Sequence, residues 1–251
     1  MPITAILIDA NGPVIPGMKT LDDFIISNWF IGLPDTGAVP FSGFYFGDPV
    51  TDITYNSYDK NTPAVVHGSL NNASGYIQVN TTDYLDTMKK APLTLTVCGV
   101  AKRAATSDIN IHFVADFSGS GANSFGFTIG FAGNGQQLFM AAQNTGVTTA
   151  SYAYVTFPGS VGIGDVFTFT ASISPGSLTI DIYNPVTSTM VSGAVTLPGT
   201  RVAGTNNVLL GRKTDNNVET TTKNIKSVLL MDGVLTSAEK ISVSQFLLSM
   251  P

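Results

Sequence analysis

The sequence predicts an all-β protein, either a sandwich or a barrel, and three observations support this fold class. Charged residues make up only 12% of the 251 residues, while 25 glycines and many Thr, Ser and Asn residues replace the usual surface charges. From residue 64 onward, short strand-like runs follow one another with Gly, Pro, Asn and Ser between them. Several of these runs alternate apolar and polar residues with the period of two that is typical of a half-buried strand.

The first 63 residues differ from this pattern, and we interpret them as an irregular N-terminal arm for docking or assembly. Thr20 is a candidate N-cap for a short helix in this arm. The arm is rich in aromatic residues although its periodicity is weak, which predicts a surface that packs on a neighbour. Packing on the main domain of the same chain is the alternative that the sequence leaves open. The candidate interface residues are Phe24, Trp29, Phe30, Phe41, Phe44, Tyr45 and Phe46.

Residues 64–251 are the predicted β domain, and residues 166–184 are its clearest hairpin. The Pro175-Gly176 pair between the two runs is typical of a tight reversal. Apolar residues alternate toward one face of the first run, which predicts the face that lies in the core. These core-facing residues are Phe167, Phe169, Ala171 and Ile173.

The chain ends on a predicted helix of about three turns, preceded by a strand over residues 225–231. Thr236 and Glu239 have the spacing of a capping box, in which the Glu side chain accepts from the backbone N–H of the cap residue. Glu239 is therefore predicted to have a structural role at the start of the helix.

Residues 206–247, NNVLLGRKTDNNVETTTKNIKSVLLMDGVLTSAEKISVSQFL, resemble the C-terminal end of concanavalin A-like and laminin-G-like jelly-roll domains. The shared features are an apolar run ending in Gly-Arg, a polar excursion, a strand, a Gly-Val-Leu turn and a short helix. The likeness covers residues 64–251, with Phe167 where the family usually has Trp. The resemblance implies a two-sheet antiparallel jelly-roll sandwich with a short C-terminal helix, of the kind found in bacteriophage virion proteins. It also implies that the helix caps one end of the two packed sheets.

The carboxylate pattern argues against hydrolysis, so we predict that the protein is not an enzyme. Glycoside hydrolases of this fold class use a Glu-x-Asp-x-Glu strand, because their two carboxyl groups must lie about 5 Å apart. This chain has only two glutamates, Glu219 in a polar loop and Glu239 in the capping box. His67 and His112 stand alone, and His112 has only Asp116 nearby, with no nucleophilic serine elbow.

No cofactor is predicted, and calcium is left open. Some relatives of this fold bind calcium at one rim through Asp and Asn oxygens. Asp116 with Asn144, or Asp215 with Asn216, could provide such a site, although Asn and Asp are also common in ordinary turns. The lone Cys98 lies in an apolar run and is predicted to be a small buried hydrophobic residue.

The net charge of −5 argues against nucleic acid as a partner, since phosphate binding requires many cations on one face. The N-terminal run MPITAILIDANGP has no basic region, and no apolar stretch is long enough to span a membrane. We therefore expect no signal peptide and no membrane insertion.

These observations favour a non-enzymatic structural or adhesion protein of a bacteriophage particle: a decoration, baseplate or tail-fibre component. Its expected partners are other virion proteins, further copies of itself as an oligomer such as a trimer, and host surface polysaccharide. Its expected location is the virion, assembled in the host cytoplasm. The alternative is a soluble carbohydrate-binding, lectin-like module. Tyr152 and Tyr154 alternate onto one face of a strand and are the candidate glycan contacts.

Overall fold

The computed structural model describes residues 28–48 and 50–251, and strands in this part of the chain form two antiparallel sheets. Sheet A contains eight strands and sheet B contains seven. In spatial order, sheet A consists of β13 (Thr189–Leu197), β12 (Gly176–Asn184), β11 (Val166–Ser174), β6 (Leu95–Lys102), β15 (Lys223–Asp232), β4 (Tyr76–Val79) and β3 (Asn71–Ala73), with β1 (Val39–Tyr45) also paired to β15. Sheet B consists of β10 (Ser151–Thr156), β9 (Gln137–Gln143), β8 (Gly126–Phe131), β7 (Ile111–Ala115), β14 (Asn207–Leu210), β5 (Tyr84–Lys90) and β2 (Val65–His67). The predicted two-sheet antiparallel sandwich is confirmed.

The main core lies between the inner faces of the two sheets, where apolar residues alternate along each strand. Phe113 on sheet B packs edge to face on Phe169 of sheet A, with ring centroids 5.3 Å apart. The predicted hairpin is also confirmed, because β11 and β12 pair antiparallel around Pro175-Gly176. All four of its predicted core-facing residues are buried. They are Phe167, Phe169, Ala171 and Ile173.

A second apolar cluster lies on the outer face of sheet A, under the C-terminal helix α1 (Ser237–Ser249). Val243 and Leu247 of α1 are buried in this cluster, together with Cys98 of β6. Helix α1 therefore covers the outer face of sheet A, rather than capping one end of the two sheets as the family resemblance implied. Cys98 is fully buried, and burial raises the pKa of its thiol to about 12, as befits a small hydrophobic residue. No helix of residues 28–48 and 50–251 is long and apolar enough to span a membrane.

Strand β1 corrects the predicted boundary of the arm. It pairs antiparallel with β15 from Val39 opposite Asp232 to Tyr45 opposite Ser227, and so extends sheet A. Residues 39–45 are therefore part of the sandwich, although they lie before the predicted boundary at residue 63. For residues 1–27, which include Thr20 and its predicted helix, the arm is a prediction that lies outside the described residues.

The aromatic residues of the predicted interface are largely used inside the chain. Because β1 is a strand of sheet A, alternation places Phe44 and Phe46 in the main core and Tyr45 in the cluster under α1. Phe30 is also buried in that cluster. The alternative of intrachain packing thus holds for these four side chains and corrects the interface prediction for them. Trp29 and Phe41 are half-buried against the two clusters, and Phe24 lies outside the described residues.

Candidate functional site: a groove on the outer face of sheet B

The strand alternation of β5 places two polar or aromatic side chains on the outer face of sheet B. Leu85 and Thr87 are buried on the inner side, so Tyr84 and Asp86 point the other way and are half-buried. Strand β2 pairs with β5 so that His67 lies opposite Tyr84. The two rings stack with their centroids 4.4 Å apart and their planes within 4°.

These residues form one side of a groove with a volume of about 460 Å³. The other side comes from the start of β14 and the two residues before it, and there Asn207 Nδ2 donates to Asp86 Oδ2 at 3.1 Å. Asp86 Oδ1 accepts from the backbone N–H of Met88 at 2.8 Å. The groove thus combines aromatic rings with convergent amide, hydroxyl and charged groups. Its lining consists of His67, Tyr84, Asp86, Lys90, Thr205, Asn206, Asn207, Leu209 and Thr214.

The loop of residues 211–222, between β14 and β15, forms the third wall of the groove. Thr214 lines the groove, and its backbone N–H donates to Phe117 O at 3.0 Å. The Arg212 guanidinium lies 4.9 Å from the centre of the Tyr84 ring and donates to Thr81 O at 2.9 Å. Arg212 and His67 therefore both hold the Tyr84 ring in place.

The predicted glycan contacts, Tyr152 and Tyr154, lie on the same outer face but at the opposite edge of sheet B. Each is 42% exposed, and their rings stack with centroids 5.8 Å apart and planes within 11°. Both rings rest on the buried ring of Phe139, at 5.8 and 6.0 Å. Burial, followed by the neighbouring Tyr152, raises the pKa of Tyr154. The pair is an accessible aromatic surface, but the structure does not bring it together with the groove.

His112 and Asp116 do not form a catalytic pair. His112 Nδ1 lies 2.9 Å from Thr128 Oγ1, and its ring meets Phe139 edge to face at 5.6 Å. Burial, assisted by nearby positive charge on Lys213, lowers the pKa of His112 to about 3, so the ring is neutral at ordinary pH. Asp116 instead accepts from the backbone N–H of Phe127 at 2.7 Å.

Both glutamates are engaged in structural contacts. Glu219 is buried and accepts from Lys223 Nζ at 2.5 Å. Glu239 accepts from the backbone N–H of Thr236 and, through its other oxygen, from that of Gly37, each at 2.6 Å. The predicted capping box is confirmed. These backbone hydrogen bonds lower the pKa of Glu239.

Of the two pairs predicted as possible calcium ligands, Asp116 and Asn144 have the better-suited oxygens. Asp116 Oδ2 and Asn144 Oδ1 are buried without a hydrogen-bond partner. Asn144 and Gly204 line a cavity of about 10 Å³, and Asp116 Oδ2 lies directly beside Gly204. Burial raises the pKa of Asp116 to about 6. Within residues 28–48 and 50–251, no group of three or more His, Cys, Asp or Glu side chains could hold a metal.

The second pair, Asp215 and Asn216, forms a turn rather than an open oxygen cluster. Asp215 accepts from the backbone N–H of Gly119 at 2.9 and 3.1 Å, and Asn216 Nδ2 donates to Gly119 O at 2.8 Å. These contacts close the loop 211–222 onto the turn that follows β7.

The groove was not predicted from the sequence. The Tyr-x-Asp alternation of Tyr84 and Asp86 was a weak local signal for an outward pair on one strand. The partners of that pair are far away in the chain, since Asn207 is 121 residues from Asp86. No local pattern reports a contact of that kind.

Comparisons with known proteins identify the fold but no family. No family model and no curated protein matches this chain. Among solved structures, domain 4 of AbnA, an extracellular arabinanase from Geobacillus stearothermophilus solved with arabinotriose, superposes with a TM-score of 0.58. It is 12% identical, and the match covers 84% of this chain and all of that domain.

Two further solved structures match at similar levels. The receptor-binding domain of botulinum neurotoxin D gives a TM-score of 0.59 at 10% identity, over 82% of this chain and 52% of that one. A mutant Trypanosoma rangeli sialidase with trans-sialidase activity gives 0.57 at 10% identity, over 86% of this chain and 33% of that one. This chain thus spans about half of the neurotoxin domain and a third of the sialidase. At these identities, the likeness establishes the β-sandwich fold alone.

Proposed function

We propose that this protein is a non-enzymatic binding module that takes an uncharged glycan in the groove on the outer face of sheet B. The observation that carries the proposal is the convergence of the His67–Tyr84 ring stack with Asp86, Asn207 and Lys90 around one open volume. Binding sites for small polar ligands typically combine apolar or aromatic walls with a few positioned polar groups.

The chemistry of the groove suits sugar hydroxyls. The Asp86 carboxylate accepts hydrogen bonds and the Asn207 amide both donates and accepts, which matches the mixed character of a hydroxyl group. Tyr84 is held by His67 and Arg212, so the ring face of His67 that is not stacked on Tyr84 is the apolar surface for the C–H face of a sugar. Asp86 and Lys90 carry opposite charges, so the groove has no strong preference for an ionic ligand. The arabinanase domain solved with arabinotriose supports a glycan ligand for a sandwich of this shape.

A glycan array followed by titration calorimetry with the best glycan tests this proposal. We expect Asp86→Ala to weaken binding at least about tenfold, the equivalent of one or two lost hydrogen bonds. Asp232→Ala, which removes an exposed carboxylate on sheet A, is the matched control and should bind normally. Thermal unfolding of both variants shows that they are folded. An array with no bound glycan, or normal binding by folded Asp86→Ala, would reject the groove as a glycan site.

The tyrosine pair predicted from the sequence is tested in the same experiment. Tyr152→Ala and Tyr154→Ala should leave binding intact if the groove holds the glycan. If these variants abolish binding while Asp86→Ala does not, the glycan site is the tyrosine pair at the other edge of sheet B.

The absence of hydrolysis is part of the proposal and is supported by the engagement of both glutamates. Glu219 is paired with Lys223, and Glu239 holds the start of α1. Prolonged incubation with the bound glycan should release no shorter products by chromatography. Product release that is lost in Glu219→Gln would overturn this part of the proposal.

For the biological setting, we propose a structural or adhesion component of a bacteriophage particle that contacts host surface polysaccharide. The charge-poor composition, rich in Thr, Ser and Asn, supports this setting. Exposed apolar residues near the N-terminal segment also support it, since Ile31 is 71% exposed and Val39 is 65% exposed. We expect a closed oligomer, a trimer being one such symmetry. Light scattering after size exclusion measures the oligomeric state. A stable monomer whose behaviour is unchanged by Ile31→Ser and Val39→Ser would favour the alternative, a soluble lectin-like module.

A further inference from the structure

The most completely buried ion pair of the described residues stands behind the groove. Lys223 Nζ lies 2.5 Å from Glu219 Oε1, and the two side chains are 1% and 2% exposed. Removing two charges from water is costly, and a buried pair often stabilises a fold no better than apolar residues of similar size. The main effect of this pair is therefore expected to be the geometry that it imposes on the neighbouring chain, rather than added stability.

The pair joins three points of the groove loop 211–222. Lys223 Nζ also donates to Gly211 O at 2.9 Å, at the first residue of the loop. Glu219 Oε2 accepts from the backbone N–H of Thr221 at 3.0 Å, near its end. Gly211 has φ +118°, and a Cβ there would lie 2.9 Å from Asn80 O. The first residue of the loop is therefore closely packed against the backbone at Asn80. One buried contact thus sets both ends of the loop.

The residues that follow Gly211 shape the groove. Arg212 packs on the Tyr84 ring, and its guanidinium donates to the backbone oxygens of Thr81, Lys213 and Thr214. Thr214 itself lines the groove. A shift of Gly211 would therefore move Arg212 and Thr214 and release the Tyr84 ring.

We propose that the Glu219–Lys223 ion pair is the positioning device of the groove, which sets the affinity for its glycan by holding Arg212 against Tyr84 and Thr214 in the groove wall. This inference rests on the proposed glycan-binding function. Glu219 and Lys223 lie behind the wall and act through the loop, since neither lines the groove.

The test uses the full chain and the double variant Glu219→Leu/Lys223→Met, which replaces both charges with apolar side chains and avoids an unpaired buried charge. Asp181→Leu/Lys240→Met is the matched control, because that pair is also largely buried but lies on sheet A with α1. We expect the first double variant to lose glycan affinity about tenfold or more while remaining folded, and the control to retain it.

A spectroscopic signal separates positioning from general destabilisation. The His67 ring stacks on Tyr84, so its NMR resonances report the position of that ring without any ligand. We expect these resonances to shift in Glu219→Leu/Lys223→Met and in Arg212→Met, and to be unchanged in the sheet A control. If the double variant does not fold, Arg212→Met still tests whether Arg212 holds the Tyr84 ring in place.

The outcomes distinguish this inference from the proposed function. If the wild-type protein binds no glycan, the proposed function fails, but the His67 resonances still test the positioning role. If the folded double variant or Arg212→Met leaves both affinity and the His67 resonances unchanged, the positioning role is overturned and glycan binding by the groove stands.

Discussion

Acidification should destabilise this protein through His112, a largely buried histidine on β7. Burial, and then the nearby charges of Lys213 and Lys223, lower the pKa of His112 to about 3, against 6.5 for a free side chain. The unfolded chain therefore takes up the proton first. The stabilising contribution of neutral His112 is fully present above pH 6.5 and is lost progressively as the pH falls toward 3.

The size of the effect follows from the pKa difference. Each pH unit between the unfolded and folded pKa changes the free energy of unfolding by about 1.4 kcal/mol. Lowering the pH from 6.5 to 5 should thus cost about 2 kcal/mol, and the complete loss would approach about 5 kcal/mol. The substitution His112→Asn removes this titration while keeping a polar group near Thr128 Oγ1.

Urea denaturation of both proteins between pH 7.5 and pH 5 measures the prediction. At pH 7.5 we expect the variant to be the less stable protein, because it loses the ring contact with Phe139. By pH 5 the difference in the free energy of unfolding between the two proteins should have decreased by about 2 kcal/mol. The opposite titration of Asp116 occurs in both proteins and cancels in the difference. Parallel stability curves over this range, or a His112 resonance that titrates above pH 5, would refute the reasoning.

Three further predictions concern stability. The buried carboxyl of Asp116 has its pKa raised to about 6 from 3.8, so the stability that it confers is complete below pH 3.8 and is lost as the pH rises through 6. Asp116→Asn should therefore stabilise the protein by up to about 3 kcal/mol at pH 8 and have little effect near pH 4. Urea denaturation at both pH values measures this, and equal shifts of the urea midpoint at pH 8 and pH 4 would contradict it. Leu247→Ala should lower the free energy of unfolding by about 2 to 5 kcal/mol, because Leu247 is buried between α1 and sheet A. Ser249→Ala, at an exposed site of the same helix, should be nearly neutral. Thr236→Ala should cost about 1 kcal/mol through loss of the cap, and an unchanged melting temperature would show that the cap contributes nothing.

Local sequence patterns predicted much of the sandwich. The hairpin around Pro175-Gly176 and the helix capped by Thr236 were predicted from residues only a few positions apart, and both are present. The sheet that each strand joins was not predictable in the same way. Strand β1 was assigned to an arm because its partner, β15, lies almost 190 residues later in the chain.

The position of helix α1 illustrates the same limit. Its capping box predicts where the helix begins, but only the packing of Val243 and Leu247 shows that it covers the outer face of sheet A. This cover explains why Thr168 and Thr170 are buried, although their strand alternates as if one face were open to water.

The candidate site divides along similar lines. Tyr152 and Tyr154 were predicted to share one face because they are two residues apart on a strand, and the structure places their rings together. The groove depends instead on three separate segments. His67, Asp86 and Asn207 meet only through the pairing of β2, β5 and β14.

The amino-acid sequence by itself determined the class of the fold, the hairpin, the cap of the last helix and the structural use of Glu239. Each of these depends on turn chemistry, alternation or hydrogen bonds within a few residues. Tertiary structure alone decided that Phe44 and Phe46 belong to the core, that Glu219 is buried with Lys223, and that a groove opens on sheet B. These features depend on strand register over long separations, where the energy of packing two sheets outweighs any local preference.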